Sequence, residues 1–158
     1  MYVLFVLCFG AENMVVSANK LTFLYERFQD LDRKKKGYLA AEDLKLIPEL
    51  AMNPLSHRII RLFDPNQTDR INFRDFVRAL WVFDPKCPVE KKFRASFTVF
   101  DCNDDDKITE SDLVTILKAM VGSNMGEDEL GAIARETISS NDPLSRNYLS
   151  FEQFCDVC

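Results

Sequence analysis

Twelve consecutive residues have the types and spacing to hold a hard divalent cation. They run Asp101-Cys102-Asn103-Asp104-Asp105-Asp106-Lys107-Ile108-Thr109-Glu110-Ser111-Asp112. In a twelve-residue calcium loop the ligands stand at positions 1, 3, 5, 7, 9 and 12. Those positions hold Asp101, Asn103, Asp105, the carbonyl of Lys107, Thr109 acting through water, and Asp112. Every one offers oxygen, the donor that Ca²⁺ and Mg²⁺ require. Ile108, at position 8, is an apolar residue placed to pair with the loop of a neighbouring hand.

Two elements must position this loop. Phe93, Phe97 and Phe100 precede it, and Leu113, Ile116, Leu117 and Met120 follow it, all at helical spacing. The pattern is helix, loop, helix: an EF-hand. A merely solvated acidic loop does not explain why ligand chemistry and flanking helices agree at fixed spacing. Two departures weaken the site. Position 6 normally carries Gly for a sharp turn, and here it is Asp106, which tolerates the left-handed region at some cost. Position 12 is Asp112 rather than Glu, one methylene short of easy bidentate reach. One weak Ca²⁺ site follows, with a dissociation constant on the order of 10⁻⁶ M or weaker and tolerance of Mg²⁺.

Composition sets the frame. The chain has 158 residues, 47% of them apolar and thirteen of them Phe, enough for two small lobes with aromatic cores. The net charge of −5 is uneven: residues 1–16 carry −1, residues 17–84 carry +2 and residues 85–158 carry −6. Residues 101–112 alone carry −5, so the acidity is concentrated at the proposed cation site. No basic footprint of a nucleic-acid binder is present. Five scattered cysteines, Cys8, Cys87, Cys102, Cys155 and Cys158, do not read as a disulfide framework and fit a reducing compartment. The Cys155–Cys158 pair has no second pair or βαβ context to make it a redox or zinc motif. Residues 1–16 form an apolar arm whose run Tyr2–Phe9 is too short to span a bilayer. No basic residue precedes that run, as a signal peptide would need, and residue 2 is Tyr where myristoylation needs Gly.

Three further loops share the shape and lose the chemistry. The first, 32–43, keeps Gly37 at position 6 but places Lys34 and Lys36 at positions 3 and 5, where an ammonium offers no lone pair and repels the ion. It follows a helix that begins near Ser17 and carries Leu21, Leu24, Tyr25, Phe28 and Leu31 on one face. Its exit helix carries Leu44 and Leu46 and is expected to end at Pro48. The second loop, 64–75, could offer oxygens at positions 1, 3, 5 and 9 but brings charge to ligand positions only through Asp64 and Asp75; it is read as unoccupied at resting Ca²⁺, with weak binding as the alternative. The fourth, 142–153, has Leu144, Arg146 and Gln153 at positions 3, 5 and 12, which form no cage for Ca²⁺. Leu149 there keeps the pairing role opposite Ile108. Asn124 with Glu127 three residues on reads as the start of the helix before this loop. The fold class is therefore all-α: two lobes of paired EF-hands, residues 17–84 and 89–158, joined by a proline-stiffened linker at 85–88.

Paired hands expose apolar residues on one side and bind a partner's amphipathic helix in a groove. Phe76, Trp81, Phe83, Phe97, Leu117 and Met120 are the candidate groove residues. Each taken singly reads as core; as a set they exceed what two small lobes need. No Ser/His/Asp set and no phosphate-cradling Gly loop appears, and only five Gly occur in all, so the chain does not read as an enzyme.

Three segments carry a resemblance: Ile47 to Leu55, Ile71 to Leu80, and Met120 to Asn124 with Leu130 to Ala134. They resemble the calcineurin B homologous proteins, and calcineurin B somewhat less, over residues 17–158. The resemblance implies a two-lobed, non-catalytic regulatory subunit whose groove takes a partner helix. In that family the partner is best known as the cytoplasmic tail of a Na⁺/H⁺ exchanger; the alternative is a phosphatase catalytic subunit, regulated or inhibited. It implies a cytoplasmic protein that reaches the plasma membrane only through its partner. The chain departs from the family pattern in its broken fourth loop, its lack of a Met-Gly start, and an end that falls before the family's final helix and tail.

Overall fold

The computed structural model describes residues 18–157. The expected apolar arm at 1–16, and with it Cys8, lies outside the described residues, as does Cys158 of the Cys155–Cys158 pair. The chain divides into two compact units with the boundary between Pro88 and Val89.

The first lobe contains α1 (Ala18–Leu31), α2 (Ala41–Leu44), α3 (Pro48–Ala51), α4 (Ser56–Phe63) and α5 (Phe73–Trp81). The apolar faces read from helical spacing meet in one core of Leu24, Phe28, Leu39, Leu44, Leu50, Ile59, Ile60, Phe63, Ile71, Phe76, Ala79 and Leu80. Aromatic rings build its centre: Phe28 meets Phe73 and Phe76 edge to face at 5.5 and 5.6 Å, and Phe63 lies 5.9 Å from Phe76. The two loops of this lobe are tied by an antiparallel bridge between their position-8 residues, Leu39 and Ile71.

The exit of the first hand differs from expectation. Pro48 does not close a helix that holds Leu44 and Leu46; α2 stops at Leu44, and Pro48 opens α3 as its first residue. Proline suits that place because the first helical N–H has no intrahelical partner to lose. Leu46 is thereby left exposed in the joint.

The second lobe contains α6 (Val89–Phe100), β1 (Ile108–Thr109), α7 (Glu110–Val121), a 3₁₀ turn at Gly122–Asn124, α8 (Glu127–Asn141), β2 (Tyr148–Leu149) and α9 (Phe151–Val157). β1 and β2 pair antiparallel, Ile108 opposite Leu149 and Thr109 opposite Tyr148. Phe97, Ile108, Ile138, Leu149 and Phe154 are buried together, with Phe100, Leu113 and Phe151 packed around them. Phe97 stands edge to face with both Phe151 and Phe154, at 5.6 Å each. The helix start expected at Asn124 falls at Gly126 instead. Gly122, with φ +62°, ends α7 and turns the chain, so Asn124 is used in the 3₁₀ turn and cannot cap.

Candidate metal centre

All four loops adopt one backbone, whatever their chemistry. Position 4 is left-handed in each: Lys35, Gln67, Asp104 and Ser145 have φ of 52°, 53°, 58° and 52°. Position 6 is left-handed too: Gly37, Asp69, Asp106 and Asn147 have φ of 79°, 53°, 59° and 64°. Asp and Asn enter this region at lower cost than other side chains, which is why loops without Gly at position 6 still turn. The Asp at position 1 fastens each turn. Asp32 accepts from the amides of Lys36 and Gly37 at 2.9 and 2.7 Å. Asp64 accepts from Thr68 and Asp69 at 3.0 and 2.6 Å, and Asp101 from Asp105 and Asp106 at 3.2 and 2.9 Å. Asp142 accepts from Asn147 at 2.7 Å.

The third loop carries the oxygen donors. Asp101 is buried, as is Asp112, while Asn103, Asp105 and Lys107 are exposed and Thr109 is half-buried. Asp112 closes the loop across its ends: Oδ1 accepts from the Cys102 amide at 3.1 Å, and Oδ2 accepts from the Thr109 amide at 2.9 Å and its hydroxyl at 2.6 Å. It also completes a capping box with Thr109 at the start of α7. Asp105 Oδ1 accepts from the Lys107 amide at 3.0 Å, and its Oδ2 from Asn103 at 3.1 Å. Burial pushes the Asp101 carboxyl above the usual carboxylate range, the Asp106 and Asp105 amides pull it down, and the charges of Asp105 and Asp112 add to the rise. This loop thus holds negative charge that a cation would relieve.

The donor set fits a calcium ion in kind, with carboxylate, amide, hydroxyl and carbonyl oxygens on a loop of the right turn. The carboxylates have not converged: among the described residues no three His, Cys, Asp or Glu gather as a metal cluster. Asp112 has both oxygens committed to loop donors, so it would exchange those bonds to reach an ion. The other loops differ at position 12. Asp75 is engaged by Arg78, Asp43 by Lys36, and Gln153 by Arg146.

The six candidate groove residues do not form one exposed surface. Phe76 and Phe97 are 2% and 1% exposed and stand at the centres of the aromatic clusters. They are core, because each is walled in by rings from neighbouring helices. Trp81, Phe83 and Leu117 are half-buried, and Met120 is 58% exposed. Residue type and spacing could not separate these, since an apolar position on a helix reads the same whether a neighbouring element covers it or not.

A different surface emerges in the first lobe. A cleft of about 290 Å³ is lined by Phe23, Leu24, Arg27, Leu46, Ile47, Pro48 and Glu49, with Phe76 and Leu80 also reaching it. Phe23 and Leu46 on its wall are 41% and 42% exposed, and Leu21 and Tyr25 of α1 are 43% and 48% exposed. Helical spacing does not reveal it, because the break between α2 and α3 creates it. Pro48 is the one signal in the sequence, through its fitness to open a helix as well as to end one. No helix among the described residues is long and apolar enough to cross a membrane.

A family model described as an EF-hand domain pair matches residues 21–80, within the first lobe. The chain is 38% identical over 143 residues to the type 2 B-subunit of calcineurin from Dictyostelium discoideum, covering 90% of this chain and 78% of that protein. It is also 38% identical over 131 residues to the B-subunit of calcineurin from Naegleria gruberi, covering 83% of this chain and 74% of that one. With two paired EF-hand lobes and this identity over most of its length, the chain belongs to the calcineurin B-like family of calcium-binding EF-hand proteins.

Proposed function

We propose that the chain is a calcineurin B-type regulatory subunit that works by binding and not by catalysis. Its third loop takes one Ca²⁺, with Mg²⁺ as a competitor, and the ion stabilises the second lobe. Its first-lobe cleft receives an amphipathic helix of a phosphatase catalytic subunit. The observation that carries the phosphatase reading is the relatives' own naming as calcineurin subunits, at 38% identity across most of the chain. It favours the phosphatase over the Na⁺/H⁺ exchanger tail. The cleft supports helix docking physically: apolar walls from Phe23 and Leu46 are flanked by Arg27, Asp30 and Glu49, the arrangement that takes one apolar face and steers a polar rim. A cytoplasmic location belongs to the same proposal.

Calorimetric titration with two peptides tests it, one an amphipathic helix of a phosphatase catalytic subunit and the other an exchanger-tail helix. The phosphatase helix should bind, and Phe23→Ala and Leu46→Ala should weaken it. Both side chains are more than two-fifths exposed, so these changes should move stability by no more than about 0.5 kcal/mol. Binding of the exchanger helix alone, or of neither helix, overturns the proposal.

A further inference from the structure

The first loop of one lobe and the fourth loop of the other share a feature that runs opposite to the charge argument from sequence. Position 5 of the first loop is Lys36, and position 5 of the fourth is Arg146. Each cation meets acceptors of its own loop, Lys36 half-buried and Arg146 at the surface. Lys36 Nζ lies 2.6 Å from Oδ2 of Asp43, the position-12 residue of its own loop, and that oxygen also accepts from the Ala40 amide at 2.8 Å. Arg146 reaches both ends of its loop. Its Nε is 3.6 Å from Oδ1 of Asp142 at position 1, and its terminal nitrogen donates to Gln153 Oε1 at position 12 at 2.5 Å. Gln153 Oε1 also accepts from the Ser150 amide at 2.9 Å, and its Nε2 donates to Asp142 Oδ1 at 3.3 Å and to the Asn141 carbonyl at 3.2 Å. The side chains these cations meet are shielded: Asp43 is 13% exposed and Asp142 1%.

We propose that Lys36 and Arg146 are tethered cations that do, inside loops 1 and 4, the closing work an ion does in a metal-binding hand. Positions 1, 5 and 12 are where such a loop gathers around its ion. In the first and fourth loops a side-chain cation from position 5 draws on the remaining acceptors at 1 or 12. Loops 2 and 3 carry Thr68 and Asp105 at position 5 and have no such cation.

A second, independent repetition supports this. The first and fourth loops each have Tyr at position 7, and each Tyr ring faces two cations. Lys36 Nζ lies 4.9 Å from the Tyr38 ring centre, and Arg70, from position 7 of the paired loop, lies 5.1 Å from it. In the other lobe Arg146 lies 4.8 Å from the Tyr148 ring centre, and Lys107, again from position 7 of the paired loop, lies 5.2 Å from it. The same four-part arrangement arises from hand 1 in one lobe and hand 4 in the other, although the residues differ. Hydrogen bonding to Asp43 also holds the Lys36 ammonium above its usual range. Burial pushes the Asp142 carboxyl up, but its hydrogen bonds outweigh burial and hold it below its own usual range.

The consequence is an asymmetric pair in each lobe. One loop is closed by a built-in cation, and the strand or bridge pairing at position 8 ties it to its neighbour. In the second lobe this couples Arg146, through Tyr148 and Lys107, to a carbonyl of the proposed metal loop.

Two sets of variants of the full chain test it. The first is Lys36→Met and Arg146→Met, which keep length and remove charge, beside Lys36→Arg and Arg146→Lys, which restore it, and Lys34→Met as a surface control. Amide exchange is followed in chelator. Protection at Gly37 and Ala40 should be lost in Lys36→Met, and at Asn147 and Ser150 in Arg146→Met. The charge-preserving variants and the control should keep it. Protection unchanged in both methionine variants overturns the proposal. The second is Lys34→Asp with Lys36→Asp, which leaves Asp32, Gly37 and Asp43 in place. Native mass spectrometry with Tb³⁺ should then show one more ion bound than in the parent chain. A folded double variant with no added ion would mean that the ammonium does not stand in for the metal. If the variant fails to fold, the exchange data on the methionine pair decide.

Discussion

Removing Asp112 should separate its two duties, closing the third loop and holding a metal. Asp112 is 4% exposed and accepts from the Cys102 amide, the Thr109 amide and the Thr109 hydroxyl. Asp112→Ala deletes all three bonds and the capping box at the start of α7. Loss of such a cap costs roughly 1 kcal/mol. A backbone donor left without an acceptor costs roughly 1–3 kcal/mol more, reduced where water reaches it. Cys102 and Thr109 are both half-buried, so a total of about 2–3 kcal/mol is expected in the absence of metal. With a urea slope of roughly 1–2 kcal/mol/M for so small a lobe, the midpoint should fall by about 1–3 M. The assay is urea unfolding in chelator, read from amide signals of Ile108 and Leu149 on the paired strands. Asp112→Glu is the companion: its extra methylene should crowd the closed loop slightly yet tighten Ca²⁺, because it gains bidentate reach. A shift under about 0.5 kcal/mol for Asp112→Ala would refute the assignment of Asp112 as the loop's closing residue.

The two position-1 carboxylates of the second lobe should titrate with opposite sign. Asp101 is raised above 3.8 by burial, so its favourable contribution to folding is present below the unfolded value and lost as pH rises through the folded one. Asp142 is lowered, burial being outweighed by hydrogen bonds from Gln153 and the Asn147, Arg146 and Leu144 amides, so its contribution is present above 3.8 and lost as pH falls through the folded value. Metal-free unfolding of Asp101→Asn and Asp142→Asn between about pH 3 and 6 should therefore bend in opposite directions, and Ca²⁺ binding by the parent chain should weaken on acidification as Asp101 protonates. Asp101→Ala should abolish metal binding, whereas Asp142→Ala should leave the number of bound ions unchanged while loosening the fourth loop, as metal titration and amide exchange would show. Phe97→Ala should cost about 3–5 kcal/mol of second-lobe stability by urea unfolding, because a ring 1% exposed between Phe151 and Phe154 leaves a cavity that they cannot fill.

The helix–loop–helix order was legible in the residues because helical spacing and loop length are local properties. Leu39 opposite Ile71, and Ile108 opposite Leu149, follow from the apolar residue at position 8 of each loop. The oxygen donors of the third loop were equally legible, since an acid, amide or hydroxyl at a fixed spacing announces its chemistry. The fate of each apolar side chain was not. Phe76 lies on α5 with Trp81, and Phe97 and Leu117 lie on α6 and α7, all as apolar helix positions, and only the approach of Phe28, Phe63, Phe151 and Phe154 decides which are enclosed.

The sequence by itself determined the residue types at the ligand positions of each loop: acid, amide and hydroxyl oxygens in 101–112, and a cation at position 5 of the first and fourth loops. Only the tertiary structure decided where those cations go. Lysine at position 5 reads as repulsion when only a metal is considered, but once the chain folds back, Asp43 stands 2.6 Å from Lys36. The physical reason is that a charge's effect depends on what the fold brings within a few ångströms of it, and that distance is not written in the order of residues.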